Sequence, residues 1–238
     1  MEIATIHAQS RRTYGSPRIR MELRKSGRRI GRRRVARIMK RCRLFGRSRT
    51  RRKPRTTDSE HDQPIAPNLL KDREPASAIN EVWVTDITYI HTDEHWLYVA
   101  AVLDTFSRRI VGWAFGTSLA TSLCLEALDM ALIQRQPPKG LIHHSDRGVQ
   151  YASKEYRQAL ADSHLIPSMS RKANCYDNAM AESFWSTLKT ECVDRIHFKT
   201  LAEAKVAVFD FIECFYNPQR SHSSIGYLSP IAFKNQIN

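Results

Sequence analysis

Paired cysteines are what this sequence lacks first. Cys42, Cys124, Cys175, Cys192 and Cys214 stand apart, with no CxxC pair and no matching pair of histidines, which argues against a zinc finger and against a disulfide framework. Also missing are a signal-peptide pattern and any apolar run long enough to span a bilayer. Free thiols in a reducing, cytoplasmic compartment are therefore the expectation. No internal repeat is visible. The last scarcity is local: residues 1–55 hold 2 acidic against 21 basic side chains, whereas residues 56–238 hold 22 acidic against 17 basic. The net charge of +14 thus belongs to one end of the chain. Charge concentrated this way fits a polyanionic partner, because each neutralised phosphate releases counterions. An anionic membrane surface fits less well, since the basic segment lacks the long apolar face that interfacial helices need, and no membrane partner is expected.

What is present is enough chain for a sizeable core with a small appendage: 238 residues, 42% of them hydrophobic. Helical patterns occupy residues 2–9, 17–25 and 32–41, broken at Tyr14-Gly15-Ser16 and Ser26-Gly27, with Ser16 placed to cap the second ahead of Pro17. In the third, Val35, Ile38 and Met39 share one face while Arg32, Arg33, Arg34, Arg37 and Lys40 cover the rest. Residues 1–46 therefore read as a basic helix-turn-helix-like DNA-binding region, whose third helix either enters a groove or simply presents a solvated basic face. Residues 47–78 read as a linker, basic at first and then stiffened by Pro64, Pro67 and Pro75.

From residue 79 to 238 the pattern changes to that of a catalytic-sized core. Three strands are expected at Glu81–Ile90, Trp96–Leu103 and Arg109–Phe115, then a helix at Leu119–Arg135 ended by Pro137-Pro138. A short strand at Leu141–His143, helices at 153–163, 177–192 and 201–215, and a polar tail YNPQRSHSSIGYLSP complete it. The fold class is α/β or α+β, with a mixed sheet.

Three carboxylates in unlike surroundings stand out within this core. Asp86 interrupts the β-branched and aromatic run VWVTDITYI, where a buried anion is costly without a cation or donors. Asp146 ends a short apolar run in LIHHSDRGVQ, at the kind of strand end where ligands gather, although Ser-Asp-Arg-Gly is also an ordinary turn. Glu182 lies in a helical pattern behind the candidate cap Asp177 and shares a face with Asn178, Ser186 and Lys189, a face that would otherwise be plain solvated surface. Three elements contributing one hard oxygen ligand each suit Mg²⁺ or Mn²⁺, and two such ions activate an attacking oxygen and stabilise a leaving one in phosphodiester chemistry. Asp104 reads as a turn cap, at most one of the neighbours His143 and His144 reaches the site, and Arg171, Lys172 and Asn174 form a polar loop that either holds DNA or is ordinary surface.

The segments WVTDITYI, VLDTFSRRIVGW, HHSDRGVQYAS and SMSRKANCYDNAMAESFWSTLKTE together resemble the integrase core of bacterial insertion-sequence transposases, and Asp146 and Glu182 are separated by the 35 residues typical of the D,D(35)E group. The N-terminal helical segment and the tail are similar to that group too, so the resemblance covers nearly the whole chain. It implies an RNase H-like core, two Mg²⁺ ions, Asp86, Asp146 and Glu182 as catalytic triad, and strand cleavage followed by transfer of the 3′-OH. It further implies element ends and target as DNA partners, a homo-multimer on DNA, and an upstream-reading-frame partner or fusion, all in a nucleoid-associated setting. Arg32, Arg33, Arg34, Arg37, Arg171, Lys172, Asn178 and Lys189 are the expected DNA contacts. A catalytically idle DNA-binding remnant or regulator, or a plain RNase H-like nuclease that cuts without joining, are the alternatives.

Overall fold

Val82, Val84, Ile87 and Ile90, β-branched residues suited to a pleated and half-buried surface, build the central strand of the molecule. In the computed structural model, which describes residues 1–48, 62–171 and 178–237, this strand, β1 (Val82–His91), pairs antiparallel with β2 (Trp96–Asp104), which pairs antiparallel with β3 (Ile110–Gly116). On its other side β1 pairs parallel with β4 (Ile142–Ser145), which pairs parallel with β5 (Ile166–Met169), giving the order β3-β2-β1-β4-β5. The mixed sheet anticipated from the sequence is therefore present, with one strand more than the pattern showed. β5 is four residues long, contains Pro167 and lies at the edge, where a strand tolerates the missing N–H.

Helices cover both faces. Three numbered from the N-terminus, α1 (Glu2–Gln9), α2 (Ser16–Lys25) and α3 (Arg32–Arg41), precede the sheet. On one face lie α4 (Thr121–Arg135), the single turn α5 (Val149–Ala152) and α6 (Lys154–Asp162), closing a core of Trp83, Val102, Leu128, Tyr156 and Leu160. Gly112 of β3 is what lets α4 approach, since a Cβ there would stand 2.1 Å from the Ala127 carbonyl oxygen. The other face carries α7 (Ala179–Glu191) and α8 (Leu201–Phe209), whose turns widen through Asp210–Tyr216 before the chain closes in α9 (Pro230–Ile237).

The N-terminal helices share this second core. Ile19, Leu23, Val35 and Met39 belong to the same apolar cluster as Leu97, Phe184, Leu188 and Tyr216. As the sequence pattern required, Val35 and Met39 are buried, Ile38 is half-buried, and Arg32, Arg33, Arg34 and Arg37 are exposed. One detail differs: α2 begins with Ser16 already helical and Gly15 as its cap, with no side-chain cap bond. Among the described residues no helix is long and apolar enough to cross a membrane.

Candidate active site

Asp86 sits in the middle of β1 on the face that α7 packs against, because residues 84, 86, 88 and 90 alternate to that side. The parallel register that pairs Val84 with His144 brings the end of β4, and with it Asp146, alongside Asp86. Glu182 arrives from the first turn of α7, half-buried between Ala181 and the exposed Ser183. Three unlike elements thus bring their acids near enough to act on one another, and Asp86 registers it. Burial pushes its carboxyl well above the usual carboxylate range; Asp146 pushes it further, and Glu182 adds to the same effect.

Little in the chain offsets that charge. Asp86 Oδ1 accepts the N–H of its neighbour Ile87 at 2.8 Å, and the indole N–H of Trp185 faces the carboxylate without completing a hydrogen bond. Asp146 Oδ1 accepts the Gly148 N–H at 2.9 Å. Among the described residues neither Asp86 nor Glu182 forms an ion pair. An all-carboxylate donor set that repels itself suits a hard divalent cation. Among the described residues, however, no three His, Cys, Asp or Glu side chains are gathered at ligand spacing.

A cleft of about 400 Å³ opens beside the acids, lined by Asp86, Asp146, Tyr89, Trp96, Tyr98 and Tyr151 among others. Lys189, on α7, sets Nζ 4.9 Å over the ring of Tyr89, one of the lining residues; burial lowers its pKa, while Asp194 and then Asp86 hold it up. These aromatic residues were not singled out from the sequence, where Tyr89, Trp96 and Tyr98 look like ordinary strand residues.

The remaining expected site residues fall in different places. Asn178 is buried at the start of α7, with Nδ2 donating to the Thr85 carbonyl at 3.3 Å and Oδ1 without a partner among the described residues. Arg171 is exposed, whereas Lys172, Asn174 and Asp177 lie outside the described residues. Arg32, Arg33, Arg34 and Arg37 lie on α3, an element separate from those that carry the acids. Asp104 is a turn cap as expected: fully buried, it accepts from Ser107 N and Oγ at 2.7 Å each and from Asn80 N at 2.7 Å. Neither histidine lines the cleft. His143 Nε2 meets the Tyr156 hydroxyl at 3.2 Å and is pushed down to about 3 by burial and by His144, while His144 bridges the hydroxyls of Ser168 and Ser170 at 2.8 and 3.0 Å.

A second polar centre, missed in the sequence, lies at the far end of α7. Glu191 is 6% exposed and takes Arg220 in a two-pronged pair, Oε2 to Nε at 2.8 Å and Oε1 to Nη2 at 2.7 Å. Arg18 of α2 reaches the same Oε1 at 3.4 Å, and the Tyr14 hydroxyl accepts the Ser221 N–H at 2.6 Å. Arg11 adds an ion pair with Asp210. The tail expected to be plain and polar is thus the seat on which the N-terminal helices rest.

Set beside known proteins, the sequence matches the integrase core domain family over residues 76–175 and again over 182–237, and the HTH-like domain family over residues 1–53. It is 47% identical to the "Insertion element IS600 uncharacterized 31 kDa protein" of Shigella sonnei, over all of this chain and 87% of that protein. It is 41% identical to "Transposase InsF for insertion sequence IS3A" of Escherichia coli K12, over 96% of this chain and 79% of that one. In fold it is similar to a chain of the simian T-cell lymphotropic virus intasome solved in complex with the PP2A regulatory subunit B56 gamma, at 16% identity and a TM-score of 0.50, over 90% of this chain and 69% of that one. It is also similar to the HTLV-2 integrase catalytic core domain solved in complex with magnesium, at 15% identity and a TM-score of 0.50, over 65% of this chain and 95% of that one.

Proposed function

The chain belongs to the integrase-core transposases of insertion sequences, and from that membership we propose that Asp86, Asp146 and Glu182 are its catalytic and metal-holding residues. It is a transposase, an enzyme of the polynucleotidyl transferase type. The observation that carries the site assignment is the convergence on Asp86, whose carboxyl is raised by burial and then by two further acids from two other elements. Mg²⁺, as two ions for which Mn²⁺ can substitute, would bind these oxygens and supply activation of the attacking oxygen and stabilisation of the leaving one.

The side chains have their own parts. The Ile87 N–H fixes one oxygen of Asp86 and the Gly148 N–H one oxygen of Asp146, so both carboxylates are oriented before substrate arrives. Glu182 rides a helix braced against β1, and Lys189 follows it by two turns on the same helix, cationic and close enough to Asp86 to meet a backbone phosphate beside the acids. Residues 1–46 act as the unit that grips the element ends through Arg32, Arg33, Arg34 and Arg37, residues 47–78 as linker, and residues 79–238 as the catalytic core. Arg171 and Lys172 complete the DNA contacts, whereas Asn178, expected among them, is buried with its amide on the Thr85 carbonyl and acts instead by holding the start of α7 against β1. The working form is a homo-multimer on DNA in the bacterial cytoplasm, with an upstream-frame protein or fusion as a further partner.

The decisive experiment incubates the protein with labelled duplexes carrying the flanking terminal repeats, in Mg²⁺ and in EDTA, beside the Glu182→Gln variant. Cut and joined strands that need both Mg²⁺ and Glu182 are the expected result. Products that persist in the variant would remove Glu182 from the triad, and cutting without joining would replace strand transfer with hydrolysis.

A further inference from the structure

The cleft beside the acids has a composition that a phosphate-handling site does not need. Trp96, Leu119 and Val149 are 44%, 44% and 40% exposed along it, and Tyr89, Tyr98 and Ile87 are half-buried in its wall. These residues lie together for a simple reason. Ile87, Tyr89, Trp96 and Tyr98 point to the α4 face of the sheet, with Tyr89 opposite Tyr98 in register, but α4 packs on β2 and β3 and starts only at Thr121. The end of β1 and the start of β2 are left with their aromatic rings uncovered among the described residues.

Geometry and charge restrict what fits. The Trp96 ring stands edge-to-face with Tyr89 at 5.1 Å and with His91 at 4.9 Å, so it is braced on one side while remaining exposed. Asp86 and Asp146 lie at one end of the lining, so a phosphate held at the acids places its attached group against the apolar walls. Gln150, the amide on the rim, already donates to the Leu119 carbonyl at 3.0 Å. A flat, uncharged, π-faced group attached to a phosphate that sits at the acids is what these walls accommodate, with Lys189 over Tyr89 at the junction of the two.

We propose that this cleft is a subsite for one unstacked nucleobase of the strand being cut or joined, with Trp96, Tyr89 and Tyr98 as its stacking wall. The subsite rests on the transposase reading of the three acids. Its role is positional: a base swung out of the duplex and held on Trp96 fixes its own phosphate against the carboxylates, and sets a preference for ends or targets that open easily. The base comes either from the element end or from the target, and the chemistry of the subsite is the same for both.

The test is a cycle of protein and DNA changes read by affinity, so that it stands apart from any loss of cleavage. On a Glu182→Gln background with Mg²⁺, fluorescent element-end and target duplexes are titrated with protein carrying Trp96, Trp96→Ala or Trp96→Phe. In a matching series a single abasic site is stepped through the positions around the reacting phosphate. Trp96→Ala is expected to weaken binding to intact DNA about tenfold, with Trp96→Phe keeping most of the affinity. At one abasic position the loss should disappear, and whether that position lies in the end or in the target duplex identifies the source of the base. The same loss at every abasic position, or no loss on intact DNA, would overturn the subsite. So would intact DNA binding by Trp96→Ala with a drop in oligomer size, since the cleft would then be a contact between copies. If none of the duplexes is bound by any version, the DNA reading fails, and the subsite with it.

Discussion

Asp86 and Glu191 are both carboxylates drawn into the protein, Glu191 buried and Asp86 half-buried, and the chain treats them in opposite ways. Glu191 is given Arg220 in a two-pronged pair and Arg18 besides, and Arg220 is itself held protonated by that contact. Asp86 is given two more acids, one backbone N–H from its own neighbour and no cationic partner among the described residues. A buried acid whose counter-charge is supplied by the chain is structural, since its interactions are complete in the folded protein. A half-buried acid surrounded by other acids opposes folding on its own, and such an arrangement fits a charge arriving from outside.

Five changes would break or sharpen this contrast. The largest effect belongs to the open site: Asp86→Asn, Asp146→Asn or Glu182→Gln should each lower cleavage and joining at least about a thousandfold, with DNA affinity nearly unchanged in filter binding. Next comes the closed pair. Glu191→Gln leaves Arg220 buried without its partner, and a cost of about 3–5 kcal/mol should appear in thermal unfolding as a fall in Tm of roughly 10 °C; Glu191→Leu with Arg220→Met should restore much of it. Third, acid should unfold the protein through its buried imidazoles. His143 and His222 are both pushed down to about 3, chiefly by burial, so the unfolded state binds their protons first. Stability is then complete above pH 6.5 and is lost on acidification toward pH 3, by up to about 1.4 kcal/mol per pH unit for His143. A denaturant series across that range measures it, and His143→Asn should flatten the curve.

The fourth effect is smaller and of opposite sign to the second. Because the folded protein favours the protonated form of Asp86, its charge is a destabilising one at neutral pH. Asp86→Asn should therefore raise Tm in EDTA by about 2–4 °C, equivalent to about 1 kcal/mol, and added Mg²⁺ should stabilise the wild type more than the variant. A lower Tm for the variant would erase the distinction between the two acids. Smallest in stability terms is Arg33→Ala with Arg34→Ala on exposed α3, where unfolding should not change. The slope of log affinity against log salt should shrink by about two units.

How much of this was readable in the chain depended on whether the signal was local. Val82–His91, Trp96–Asp104 and the three N-terminal helices follow from side-chain periodicity, and they lie within a residue or two of expectation. Asp86 was legible because an acid in a β-branched run is locally anomalous. β5 was not, because Ile-Pro-Ser-Met carries neither length nor alternation and is a strand only by virtue of β4 beside it. Asn217 shows the limit most clearly. In YNPQRSHSS it resembles loop surface, yet it is buried with Oδ1 accepting from Ile110 N and Nδ2 donating to Ile110 O, both at 3.0 Å and 107 residues away. The aromatic wall was hidden for a related reason: whether Trp96 is core or surface is decided by where α4 starts.

The position of α7 has a mechanical meaning. Glu182 occupies its first turn and Glu191 its last, nine residues or about 13 Å apart. The same rod holds the third acid at one end and, through Arg18 and Arg220, the seat of the basic helices at the other. On the proposed assignment, recognition and chemistry share a strut. A chain that loses its grip on the N-terminal unit also loosens one support of α7, and on that assignment it is poorly braced to cut.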